Sequence, residues 1–159
     1  MLSKTIFLPI LTSSALITTG EKCPTSIPYQ TSFDKTKYIG TWYEQKADFF
    51  FSGQCTTATY AALPNTDVEV KNRAWFWWFF FTYFTLTGSA TCKDNEAACW
   101  VSFNIAGNRP DTTSTGPNYN ILKTDYDNYT IIYNCEDSWY GAKQESAWIL
   151  TRQKTISDA

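Results

Sequence analysis

The segment Gly40-Thr41-Trp42-Tyr43-Glu44 constrains the fold of this chain more than any other. An apolar pair, Tyr38 and Ile39, runs into a glycine, and an alternating segment begins at Trp42. That is the pattern of a tight turn feeding a strand whose first inward residue is a large aromatic. Alternating segments then recur: Trp42 to Asp48, Cys55 to Leu63, Val68 to Arg73, a stretch ending at Thr91, Ala98 to Asn104, Tyr119 to Asp125, Tyr129 to Cys135 and Ser146 to Arg152. Turn-forming residues separate them, Pro64-Asn65-Thr66-Asp67 most clearly, with loops expected at Phe49 to Gly53 and Gly107 to Pro117. No long amphipathic helical pattern, internal repeat or low-complexity linker interrupts the series. One all-β domain of eight strands in simple succession suits an antiparallel up-and-down barrel, which removes sheet edges and encloses a small ligand.

Composition excludes several functions. The chain has no histidine, which removes the commonest general base and metal ligand. No catalytic set, metal site or cofactor is expected. Its net charge is −2, with no basic stripe to neutralise phosphates, so nucleic acid is not an expected partner. Residues 1–20 read as a secretory signal peptide: Lys4 gives a positive start, Ile6 to Ile17 is mostly apolar, and Thr18-Thr19-Gly20 supplies small residues before Glu21. The mature domain is then 21–159, secreted and extracellular. Five cysteines in a secreted chain imply disulfides with one thiol left over. Cys92 and Cys99 flank the polar turn Lys93-Asp94-Asn95-Glu96 and face each other across a hairpin if its register permits. Pro24 and Pro28 mark an extended arm leading to the barrel, expected across its closed end.

Three separated motifs carry a family resemblance. Gly40-Thr41-Trp42 stands near the start, Thr124-Asp125-Tyr126 about eighty residues on, and Arg152 closes the last strand. In order and spacing they resemble the signatures of the lipocalins. Lys22-Cys23-Pro24 and Tyr119-Asn120-Ile121-Leu122-Lys123-Thr124-Asp125-Tyr126 are most similar to the apolipoprotein D and bacterial-lipocalin branch. The resemblance implies that Trp42 and Arg152 close the barrel bottom by a cation–π contact, with Thr124-Asp125-Tyr126 forming the neighbouring turn. It implies a Cys23–Cys135 disulfide. It leaves Cys55 odd, because the cysteine that pairs with that position in the branch belongs to a C-terminal tail. The family's C-terminal helix is not expected within the residues that follow Arg152. It also implies an apolar cavity lined by Tyr60, Asn72, Phe103 and Trp148, holding a lipid, steroid, retinoid or tetrapyrrole.

The odd-numbered connections of such a barrel share one end, and aromatics crowd there: Phe49-Phe50-Phe51, the run Trp75 to Phe81, and Trp139-Tyr140. Phe50, Trp77, Trp78, Phe80 and Trp139 are expected to form a rim for shallow contact with a membrane or lipoprotein surface. The alternative is a lipocalin-type enzyme. Asp48 shortly before Cys55 is similar to the acidic first loop of violaxanthin de-epoxidase-like members, and a free Cys55 would suit a thiol-dependent isomerase. Asn128-Tyr129-Thr130 is an N-glycosylation sequon.

Overall fold

The structure, a computed structural model, describes residues 17–19, 21–48, 54–65, 67–76, 82–103, 116–137 and 141–155. Eight antiparallel strands close into a barrel: β2 (Gly40–Asp48), β3 (Gln54–Ala62), β4 (Val68–Phe76), β5 (Thr82–Cys92), β6 (Ala98–Ser102), β7 (Tyr119–Thr124), β8 (Tyr129–Asp137) and β9 (Ala142–Thr151). Each pairs with its neighbour in sequence, and β9 closes the ring by pairing with both β8 and β2. A short strand, β1 (Ile17–Thr19), continues along β9 where β2 leaves it, opposite Gln144, Lys143 and Ala142. These three residues belong to the segment read as a removable leader.

The one helical turn among the described residues, α1 (Lys35–Tyr38), precedes β2. Asp34 caps it, its carboxylate accepting from the Thr36 N–H at 2.9 Å. Gly40 then turns the chain with φ +110°, a conformation that L side chains rarely adopt. Trp42, two residues on, is fully buried. The inward residues that follow are Ala58 and Tyr60 on β3, Val68 and Val70 on β4, Ile121 on β7, Ile132 on β8 and Leu150 on β9, which form one core at the closed end. β4 runs on past Arg73 into the aromatic run, because the β4–β5 hairpin pairs Trp75 with Tyr83. β9 begins four residues before Ser146 because Ala142 to Glu145 pair with β1 and β8.

Both disulfides form. The β5–β6 register sets Cys92 directly opposite Cys99, which permits their bridge. Cys23 is joined to Cys135 near the mouth end of β8. The N-terminal arm is therefore fastened at two levels, not at the closed end alone. Near the mouth the Cys23 N–H donates to Asp137 Oδ1 at 2.8 Å and Lys143 pairs with Glu21 at 3.2 Å. At the base, Gln30 donates to the Ile121 carbonyl, Ala97 donates to Gln30, and Phe33 donates to Asn95.

Candidate functional site

The base of the barrel is organised by Arg152. Its guanidinium carbon lies 3.8 Å from the centre of the Trp42 ring. Its nitrogens donate to the carbonyls of Tyr126, Thr41, Lys37, Tyr38 and Ile39 at 2.9–3.2 Å. The Trp42 indole N–H donates to the Tyr38 carbonyl at 3.0 Å. Gly40 lies under this group, since a Cβ there would meet Arg152 Nη1 at 3.0 Å. Asp125 receives the Asn128 and Tyr129 N–H groups at 2.8 and 3.0 Å. Burial acts to raise its carboxyl, but these hydrogen bonds outweigh that and hold it below the usual value. Thr124 Oγ1 donates to the Tyr129 carbonyl, and Tyr126 takes φ +70° to complete the turn. This end is built for closure.

Above it lies a floor of hydroxyls. Tyr60 and Tyr119 oxygens are 2.6 Å apart, Tyr38 and Tyr119 3.4 Å, and Tyr38 and Thr130 3.2 Å. Burial pushes Tyr38 up to about 12, and Tyr60 and Tyr119 well above the ordinary phenol value, so all three are neutral at physiological pH.

A cavity of about 500 Å³ rises from this floor to the mouth. Its apolar wall includes Val70, Ala74, Leu86, Val101, Ile132 and Trp148. Polar groups enter at intervals: Glu44 and Thr56 on one side, Asn72 on β4, and Asn134, Glu136 and Ser146 on the other. Glu44 stands two residues after Trp42 on the same face, opposite Leu150. Loss of water raises its carboxyl to about 7, with a hydrogen bond to Thr56 opposing the shift. The amide oxygens of Asn72 and Asn134 are buried without a hydrogen-bond partner. The β6–β7 seam has two paired positions, Ala98 with Asn120 and Cys99 with Tyr119. The Asn118 side chain extends it as a substitute peptide group, accepting from the Val101 N–H at 2.7 Å and donating to the Val101 carbonyl at 3.0 Å.

Tyr60, Asn72, Phe103 and Trp148 all lie on this cavity wall. The Tyr60 hydroxyl is already engaged with Tyr119, so it offers the cavity its ring more than a free polar group. Phe103 is 37% exposed and packs toward Gly88, where an added Cβ would lie 2.2 Å from the Ser102 carbonyl oxygen. Phe50, Trp77, Trp78, Phe80 and Trp139 lie outside the described residues, as does the side chain of Cys55. Asp48 sits exposed at the mouth end of β2. No cluster of metal-ligating side chains occurs among the described residues. Sequence reasoning missed Glu44, Asn118, Asn134 and Glu136. Counting in twos from Trp42 and Ile132 reaches Glu44, Asn134 and Glu136, but Asn118 precedes its strand and carries no such signal.

A closed eight-stranded barrel with a cation–π base and an apolar, sparsely polar interior is a calyx suited to a small hydrophobic molecule. Residues 33–159 match the lipocalin-like domain model. The chain belongs to the lipocalin family. It is 30% identical to rabbit (Oryctolagus cuniculus) apolipoprotein D over 158 residues, covering 95% of this chain and 79% of the relative. It is 31% identical to the Lazarillo protein of Schistocerca americana over 141 residues, covering 79% and 58%. Among solved structures, insecticyanin from the tobacco hornworm Manduca sexta aligns with a TM-score of 0.66 at 22% identity, covering 91% of this chain and 76% of that one. That likeness is one of fold.

Proposed function

We propose that the chain is a secreted carrier that holds one small hydrophobic molecule reversibly inside the barrel. The observation that carries this reading is the cavity of about 500 Å³, walled mainly by apolar side chains with a few polar groups. Tyr60, Asn72, Phe103 and Trp148 act as ligand contacts. Two disulfides support an extracellular setting. Removal of 1–20 as a signal peptide would take β1 with it, yet the arm would stay fastened, because its ion pairs and disulfide begin at Glu21. The reading is binding without turnover, supported by the lack of histidine, the commonest general base. Titration with progesterone, retinol, arachidonic acid and biliverdin tests the reading. Trp148 should report binding as a saturable change in emission, reduced in Trp148→Phe, a control needed because the chain has seven tryptophans. Silence from every ligand would overturn the carrier.

A second reading concerns the mouth. Phe84 is 59% exposed and lies on the cavity wall near the mouth end of β5. Together with Phe50, Trp77, Trp78, Phe80 and Trp139 it would make a rim for shallow contact with a membrane or lipoprotein surface. Burying two or three such rings gives several kcal/mol, at ~25 cal/mol per Å² and about 150–250 Å² each. Liposome flotation of wild type against Trp77→Ser/Trp78→Ser/Phe80→Ser decides it: equal flotation, or none in either, would refute rim docking.

A further inference from the structure

The described wall of the cavity holds two carboxylates, Glu44 and Glu136, and no lysine or arginine. The backbone produces this one-sidedness. Strict alternation after Trp42 and Glu44 would send Lys46 inward, but a bulge between Glu44 and Lys46 shifts the register. Ala47 then faces Trp148 across the pair, and Lys46 is exposed. On β7 the same thing happens: after Tyr119 and Ile121 the alternation points to Lys123, and a bulge between Ile121 and Lys123 turns that lysine out as well. Independently of the carboxylates, the buried side-chain atoms without a partner among the described residues are both acceptors, the amide oxygens of Asn72 and Asn134, and both residues line the cavity. The Tyr60 and Tyr119 hydroxyls are hydrogen-bonded to each other. Two carboxyl groups and two unpartnered amide oxygens on the described wall are acceptors that a donor on the ligand would satisfy.

We infer that the ligand is an apolar amine, an extended hydrophobic body whose polar end is a protonated nitrogen that pairs with Glu44 and donates to the Asn72 or Asn134 amide oxygen. This rests on the carrier reading and names its ligand class. A protonated amine brings two or three donors and a charge opposite to the wall. A neutral alcohol brings one donor. A carboxylate brings none, and its charge opposes that of Glu136 and of ionised Glu44 in a site whose low dielectric magnifies repulsion.

Three probes that share one oleyl chain separate these cases: oleylamine, oleyl alcohol and oleic acid, each titrated below its aggregation threshold near neutral pH, with tryptophan emission as readout. Oleylamine should bind at least about tenfold more tightly than oleic acid, with the alcohol between them. In Glu44→Gln the advantage of amine over alcohol should be lost. Glu136→Gln provides the same comparison if Glu44→Gln does not fold, with a smaller loss expected at this more exposed carboxylate. Wild type that binds oleic acid as tightly as oleylamine overturns the inference and leaves the carrier standing. An unchanged amine-to-alcohol ratio in folded Glu44→Gln overturns the pairing with Glu44. Failure of all three probes overturns the inference, and the carrier reading falls with it only if progesterone, retinol, arachidonic acid and biliverdin are silent as well.

Discussion

Replacing Arg152 with alanine should unfasten the barrel base. The side chain gives up five hydrogen bonds to carbonyls in three separate segments, residues 37–39, Thr41 and Tyr126, and its stack on Trp42. Hydrogen bonds from a charged donor contribute about 1.5–3 kcal/mol each, and the stack ~0.5–2 kcal/mol. These do not add, because Arg152 is half-buried and water can reach part of what it leaves. A net loss of ~3–5 kcal/mol is expected, the range for breaking a charged network. For a domain of this size that is a fall in Tm of roughly 6–20 °C. Arg152→Lys should lose about half as much, since an ammonium offers three donors and no planar face. Urea unfolding followed by far-UV circular dichroism measures both. Ligand affinity of the folded variants should be unchanged, because the cavity lies above the tyrosine floor. A stability loss below about 1 kcal/mol in Arg152→Ala, or lost binding at unchanged stability, would refute the assignment of Arg152 to closure.

Gly88→Ala should cost ~1–3 kcal/mol and weaken ligand binding, because its Cβ would lie 2.2 Å from the Ser102 carbonyl oxygen and 2.8 Å from Phe103; an unchanged Tm would show that β6 moves freely. Glu44, raised to about 7 from 4.5, contributes stability in its protonated form. That contribution is full below the unfolded value and is lost as pH rises through the folded one, so Glu44→Gln should gain stability relative to wild type between about pH 4 and about pH 8; parallel Tm–pH curves for the two proteins would contradict this. Breaking Cys23–Cys135 with serines opens a link across 112 residues and should cost about 4–5 kcal/mol in the chain-entropy picture. Denaturant midpoints measure it, and a loss under about 1 kcal/mol would mean that the arm is held by its hydrogen bonds at Gln30 and Phe33. Thr130, the hydroxyl residue of the sequon, is fully buried against Tyr38, so Asn128 should be glycosylated only before the barrel closes; modification of refolded protein by purified oligosaccharyltransferase, read by mass spectrometry, would disprove that.

What was legible in the sequence is what period 2 and three motifs encode. The strands, the turn at Thr124-Asp125-Tyr126 and the Trp42–Arg152 closure follow from residue types at fixed spacing. Tyr60, Asn72 and Trp148 reach the cavity for the same reason, as inward positions of β3, β4 and β9. The engagement of Tyr60 by Tyr119 was not legible, because it joins residues 59 apart across the barrel. Neither was Asn118: an amide side chain standing in for a peptide group depends on where β6 and β7 separate. The arm's course across the base and its Cys23–Cys135 tie were legible, whereas the contacts of the Cys23 N–H with Asp137 and of Glu21 with Lys143, on two neighbouring strands, were not.

The charge of the interior is the part that a strict alternation misreads, and the misreading has a physical cause. Period 2 assigns Lys46 and Lys123 to the inside of the barrel, where an unpaired ammonium would be desolvated at a cost of several kcal/mol or lose its proton. One extra residue in each strand, Gln45 in β2 and Leu122 in β7, reverses the faces beyond it at the cost of a locally broken ladder. Gln45 also compensates for the break: its side chain donates to Thr151 Oγ1 at 2.8 Å and to the Gln153 carbonyl at 3.2 Å, tying the bulge to the end of β9. Glu44, one residue before that bulge, keeps its inward position. The acid and the lysine are two residues apart in sequence and on opposite sides of the wall in the fold. The bulges therefore keep two lysines off the described cavity wall while leaving the Glu44 carboxyl on it.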